Sequence, residues 1–201
     1  MIIDSLAQLR ALYPPPKERS LKKQIDALDA HCLRFIALSP FVVIASSDDE
    51  NALDASPRGG APGFVRAIDA HTLLIPDAPG NNRLDTLENI VATGRVGLLF
   101  MIPGVDETLR INGRARLSAM PETLARLVDE RRTPRLAIEV AVEAAYLHCA
   151  KALMRSALWS TSAQVERTAL PTMGEMLRDQ TGMAGPAETQ EAMVARYAQD
   201  L

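Results

Sequence analysis

The residues Pro79-Gly-Asn-Asn-Arg-Leu-Asp-Thr-Leu-Glu88 hold the most concentrated polar chemistry in the chain. They follow a β-like apolar run, His71 to Pro76, and lead into a helix-like apolar run, Leu84 to Val91. A strand that feeds a glycine-containing turn and then a helix start offers free backbone N–H groups to an anion. Asn81, Asn82 and Arg83 stand at that start. Two amides, a guanidinium and those N–H groups together suit a phosphate. The same residues can also serve architecture alone, because Asn caps helices and Gly makes turns.

A second constellation is Asp54-Ala-Ser-Pro-Arg-Gly-Gly60, read as a loop at a strand end that exposes Ser56, Pro57, Arg58 and Gly59. Glycine lets a ligand approach the backbone closely, and Arg58 can clamp a phosphate. The plainer alternative is a solvated hairpin loop. The strands between the two constellations are consecutive, so they are expected as neighbours, with both arginines on one anionic ligand. A third group, His148, Lys151 and Arg155, falls at spacings of three and four and would form one cationic helix face. A solvated basic face is its plain reading. Asp106 and Glu107 sit on a turn, where carboxylates normally serve solubility.

Positioning these residues requires a mostly β chain. Ile3 to Tyr13 repeats apolar residues at helical spacing, and Pro14-Pro15-Pro16 ends it. Ser20 is a natural cap for a second helix through Leu33. Strands are then expected at Phe35–Leu38, Phe41–Ala45, Ala52–Ser56, Phe64–Ile68 and His71–Pro76. A helix runs to about Thr93, followed by a long apolar strand, Arg95–Ile102, and an alternating, half-buried one, Leu109–Leu117. Pro121 opens a helix to about Glu130, Leu136–Val142 is a further strand, and Ala144–Leu158 is helix-like. The tail, Thr172 to Tyr197, reads as helices broken at Gly182–Pro186. About seven short strands with one helix between them indicate an antiparallel β-barrel with helical additions rather than a doubly wound parallel sheet. The expected division is a helical flank (1–30), a barrel domain (31–160) and a helical tail (161–201). A small barrel fills its own interior, so a ligand is expected on its outer surface, where a subunit boundary is one possible place.

Composition narrows the function. A net charge of −3 over 201 residues excludes a strongly basic nucleic-acid footprint, and 4% aromatic residues give no base-stacking surface. No apolar run approaches the ~18 residues of a membrane span. The N-terminus lacks the basic region and cleavage site of a signal peptide, which points to the cytoplasm. Cys32 and Cys149 read as reduced thiols, and His31, His71 and His148 have no metal-ligand spacing.

Four motifs in order, Ser56-Pro-Arg-Gly59, Pro79-Gly-Asn-Asn-Arg-Leu-Asp85, Ile102-Pro-Gly-Val-Asp-Glu-Thr-Leu-Arg110 and His148-Cys-Ala-Lys-Ala152, resemble the pyridoxamine 5′-phosphate oxidase-like flavoproteins. The resemblance spans roughly residues 30 to 160. It implies the FMN-binding split-barrel fold: antiparallel, mainly β with helical additions, and a homodimer holding two FMN molecules at its interface. Arg58 would correspond to the arginine of the first phosphate-binding strand. Asn82 and Arg83, with Asn81 beside them, would occupy the place of a Ser-Arg-Lys phosphate clamp. No lysine stands there, so Arg58, or Lys151 of either subunit, would supply the remaining charge. Ile75 and Pro76 would lie along the isoalloxazine edge. Thr108 would replace a flavin-contacting glutamine, reaching in from the other subunit. The C-terminal Trp and Arg of true pyridoxamine phosphate oxidases have no match. The implied activity is therefore an FMN-dependent oxidoreductase acting on another small molecule or a nicotinamide donor. Related barrels also take F420 or haem. The alternatives are a flavin carrier, sensor or storage dimer without turnover, and a barrel that binds a small anion.

Overall fold

The computed structural model describes residues 2–128 and 133–200, in two compact units, one up to Met154 and one from Arg155. The first unit opens with two short helices, α1 (Leu6–Ala11) and α2 (Glu18–Lys22). Next comes α3 (Ala30–Leu38), whose cap Asp29 accepts a bond from the Cys32 N–H at 2.8 Å. The strand expected at Phe35–Leu38 is thus the end of a helix. Its apolar residues satisfy both periods, but only the helix has a side-chain cap to start it and a Ser39-Pro40 pair to stop it. Phe35 and Ile36 face the core, and the Ser39 hydroxyl donates to the carbonyls of Phe41 and Met101, both at 2.7 Å.

Strands β1 (Phe41–Ser47), β2 (Leu53–Gly59), β3 (Arg66–Ala67) and β4 (Thr72–Pro76) follow, then α4 (Asp85–Thr93). After it come β5 (Arg95–Ile102), β6 (Val105–Ser118), α5 (Pro121–Leu124), β7 (Ala137–His148) and α6 (Lys151–Ser156). All seven strands form one antiparallel sheet in the order β2-β1-β5-β6-β7-β4-β3, consistent with the split barrel expected from the sequence. The helix expected from Pro121 is α5 plus one 3₁₀ turn, Ala125–Leu127; Glu130 lies outside the described residues. Only two residues of the expected Phe64–Ile68 strand pair as one.

The core follows from strict alternation. Val42 and Ile44, Val96, Leu98 and Phe100, Leu109 and Ile111, Ile138 and Val140 all point inward and are buried. Leu87 and Ile90 of α4 and Leu28, Cys32, Phe35 and Ile36 before and on α3 close the ends of the same cluster. Before α3, Ile25 exchanges two backbone bonds with Ala145 at 3.0 and 2.8 Å, extending the sheet along the free edge of β7. A bulge sits between Asn112 and Gly113, where β6 crosses β7 closely enough that an added Cβ on Gly113 would overlap the Ala141 carbonyl.

The second unit consists of 3₁₀ turns and two helices, α7 (Met173–Thr181) and α8 (Gln190–Tyr197). Thr172 and Glu175 form a capping box on α7, and Gly182 ends it in the left-handed conformation, the break read from the sequence. Among the described residues, no helix is long and apolar enough to cross a membrane.

Candidate functional site

Asp54, Ser56 and Arg58 belong to strand β2, not to a loop. Pro57 and the two glycines after Arg58 look like loop residues, so the sequence alone ends the strand too early. As an edge strand, β2 tolerates Pro57, which pairs with Val43 without needing an N–H. Strand geometry then places Asp54, Ser56 and Arg58 on one face, with all three half-buried.

The N-terminus of α4 docks on that face. The buried Thr86 hydroxyl donates to the Asp54 carboxylate at 2.6 Å, and the Ser56 hydroxyl donates to the same carboxylate at 3.0 Å. Asn89, one turn on, donates to the Ser46 hydroxyl at 3.0 Å and ties α4 to β1. The turn before α4 is unusual. Asn82 has φ 59° and Leu84 φ 61°, both left-handed, and Leu84 caps the helix without a side-chain bond. The first N–H groups of α4 therefore have no side-chain acceptor capping them. Asn81 folds back so that its side-chain Oδ1 accepts the Arg83 N–H at 3.0 Å.

Arg83 is exposed and grips Asp85 through Nε at 2.9 Å, with a longer contact from Nη2 at 3.4 Å. That bond and charge raise the guanidinium above its ordinary pKa, and the Asp54 charge adds to the effect; Asp85 is correspondingly lowered by Arg83. The two arginine-bearing segments thus meet through Asp54, but their guanidinium groups are not bonded to a common partner. Arg58 donates instead to its neighbour's carbonyl, Pro57 O, at 2.9 Å.

A shallow cleft of about 120 Å³ joins other expected residues. Gly59 to Phe64 form one wall; Arg66, Pro76, Ala78, Leu127 and Pro134 form the rest. Pro76 is therefore in place beside Gly59. The Ile75 side chain is not available to a ligand, because it is fully buried in the core. Its β-branched body faces the barrel interior, as alternation from Pro76 requires.

Thr108 stands on β6, three places along the sheet from β2, opposite His148 of β7. It is 5% exposed. His148 is the last residue of β7 rather than part of a helix, so it does not share a helical face with Lys151 and Arg155; α6 begins at Lys151. The alanine-rich stretch Ala144–Ala145 has helix propensity, and pairing with β6 overrides it. On the same face as Thr108, Arg110 lies over the Tyr146 ring at 4.2 Å, Lys23 lies 5.0 Å from that ring, and the His148 ring is 4.7 Å from it. Sequence reading missed this group, because its members come from three segments and only the β6–β7 register aligns them. No set of three or more His, Cys, Asp or Glu side chains suited to a metal occurs among the described residues.

Comparison with known proteins bears on this geometry. The family model for pyridoxamine 5′-phosphate oxidase matches residues 28–149. No curated protein matches the chain. Among solved structures, HupZ of Group A Streptococcus is similar, with 14% identity over 60% of this chain and 93% of its own and a TM-score of 0.50. A conserved hypothetical protein of Mycobacterium tuberculosis is 14% identical, over 64% of this chain and 90% of its own, with a TM-score of 0.48. An FMN-binding protein from Syntrophomonas wolfei is 9% identical, over 58% of this chain and 81% of its own, with a TM-score of 0.44. At 14% identity the likeness to HupZ is one of fold.

Proposed function

The chain belongs to the pyridoxamine 5′-phosphate oxidase family, and we propose that within it the protein is a homodimeric, cytoplasmic FMN-binding oxidoreductase acting on a small molecule or a nicotinamide donor. The observation that carries this reading is the docking of the α4 start on the Asp54–Ser56–Arg58 face of β2, joined through Thr86 and Asp54.

The residues present fit a phosphate in three respects. The α4 start has no side-chain cap, so its N–H groups are open to an anion. Leu84 holds a left-handed backbone that costs a bulky residue about 1–2 kcal/mol, and such strain gathers at ligand clamps. Arg83 is exposed and held by Asp85, which it can exchange for a phosphate, and Arg58 lies on the strand against which α4 docks. One feature opposes the fit: Asp54 and Asp85 bring negative charge to the same place. In this reading, Asp54 is held by Thr86 and Ser56 as a strut, and Asp85 releases Arg83 on binding.

The cleft of about 120 Å³ between Gly59 and Pro76 is much smaller than the roughly 300 Å³ at which ligand sites begin. One protomer therefore builds only part of the site. A second copy would complete it, which is why Thr108, remote from β2 in its own sheet, is assigned to the ring of the opposite protomer's cofactor, with Lys151 available for phosphate charge. When bound, FMN supplies the hydride and electron transfer chemistry. The chain's own residues bind and orient: Arg58, Arg83 and the Asn81–Asn82 turn at the phosphate, Ser56, Pro57, Gly59 and Pro76 as close-approach backbone, and Thr108 as a hydroxyl donor at the ring. Ile75 contributes backbone alone.

The purified protein is expected to be yellow, or to become so with FMN, with the absorbance of oxidised flavin. A colourless protein that takes up no FMN refutes the reading, and an F420 or haem spectrum reassigns the cofactor. Stopped-flow mixing with NADH or NADPH separates turnover from storage: prompt bleaching marks the oxidoreductase, and inert flavin marks a carrier, sensor or storage protein.

A further inference from the structure

We propose that Lys23, Arg110 and His148, gathered around the ring of Tyr146, form a binding site for an oxyanion, the phosphate or carboxylate group of a small-molecule ligand. The site stands on geometry alone and does not require that the protein hold a flavin.

The arginines of β5 and β6 are treated in two ways. Arg114 and Arg95 share Glu143 at 3.2 and 3.1 Å, and Arg116 pairs with Glu139. These are ordinary cross-strand ion pairs. Arg110, on the same strand and the same face, instead faces Tyr146 in the register. Its guanidinium donates to no protein acceptor among the described residues, and its Nε is shut off from water without a partner. A guanidinium whose Nε–H is buried without an acceptor is an unmet demand for oxygen.

A second cation and an imidazole are held at the same place. Lys23 is fixed by donating to the Leu147 carbonyl at 2.9 Å, and the adjoining Ile25–Ala145 bridge keeps that segment against β7. His148 lies opposite Thr108, next to Tyr146. One cation over the ring is an adequate reason for Tyr146 to be there. Two cannot be explained that way, because they repel one another and no ion pair to either occurs among the described residues. The repulsion is registered at His148: burial first, then Arg110 and Lys23, hold its pKa below the ordinary value. An oxyanion supplies the missing countercharge and the missing acceptors together, with the guanidinium fork offering two parallel bonds.

The test is a titration of the ¹⁵N-labelled full chain, following the His148 imidazole resonances, with inorganic phosphate alone and with acetate alone, ionic strength held constant with sodium chloride. Saturable shifts are expected at millimolar anion. Response to phosphate only assigns a phosphate ligand, and response to both admits carboxylates. Arg110→Gln should weaken the affinity by about tenfold or more, and Lys23→Gln should weaken it measurably. Arg116→Gln, which removes an equal charge from the same strand, should leave it unchanged. Lys23 lies on the N-terminal segment outside the core, so its variant retains the fold should Arg110→Gln not. No saturation, or equal loss in Arg116→Gln and Lys23→Gln, overturns the proposal. Repeating the titration with FMN at saturation separates this site from the cofactor's: an unchanged curve supports a distinct site, whereas abolished phosphate binding identifies the cluster with the cofactor's own phosphate site and overturns it. Failure of FMN to bind at all bears on the cofactor reading and leaves this titration readable.

Discussion

At the scale of single residues, charge is arranged around Asp54 and Arg83 for more than solubility. Thr86 is buried only because its hydroxyl satisfies Asp54, and Asp54 is tolerable on an inward face only because Thr86 and Ser56 bond it. Arg83, by contrast, is exposed, and its partner Asp85 is two residues away. If Arg83 meets the cofactor phosphate, Arg83→Ala should raise the dissociation constant for FMN by about tenfold or more. Fluorescence quenching on flavin titration measures this, and an unchanged constant removes Arg83 from the site. Cys32 provides a separate test. Burial, with help from the Asp29 carboxylate, pushes its thiol from 9.0 up to about 11. The folded state therefore favours the protonated form. Its contribution is fully present below pH 9 and fades as pH rises toward 11, by an amount of the order of 2 kcal/mol. Cys32→Ala lacks that dependence, so the stability gap between wild type and variant should narrow between those pH values in urea melts. A constant gap would show that the thiol titrates normally.

Among the elements, the decisive junction is between β6 and β7. Their long pairing fixes Thr108 against His148 and Arg110 against Tyr146, and the bulge at Asn112–Gly113 changes the register between that end and the Arg114–Glu143 end. Gly113 is there because the Ala141 carbonyl occupies the position a Cβ would take. Gly113→Ala should cost about 1–3 kcal/mol in urea denaturation, through backbone displacement rather than lost burial. A midpoint equal to wild type would show that the crossing is loose. Helix α4 plays the corresponding part at the other end of the sheet. Leu87 and Ile90 anchor it in the core, so its uncapped start is held against β2 rather than left to solvent.

For the molecule as a whole, the barrel interior is closed by its own side chains, and the cleft beside Gly59 is too small for a flavin nucleotide. The proposed function thus depends on assembly. Light scattering after size-exclusion chromatography should give a mass of two chains, or about twice 21.8 kDa. Dilution to monomer should release FMN in parallel. A monomer that keeps its flavin would overturn the shared-site proposal.

The sequence alone determined the architecture, because alternation is a local property. The run Arg95–Ile102 has the observed strand bounds, and the β4 and α4 spans were legible from apolar runs and a turn. Local cues also misled. Phe35–Leu38 has strand-like residues but takes its state from the Asp29 cap, Pro57 concealed an edge strand, and Ala144–His148 reads as a helix until β6 pairs with it. What only the tertiary structure decided is which distant residues meet: Asp54 with Thr86, Gly59 with Pro76 in one cleft, and Lys23 with Arg110, Tyr146 and His148. Side-chain period is encoded residue by residue, whereas strand order and register join segments tens of residues apart, and no spacing along the chain records that choice.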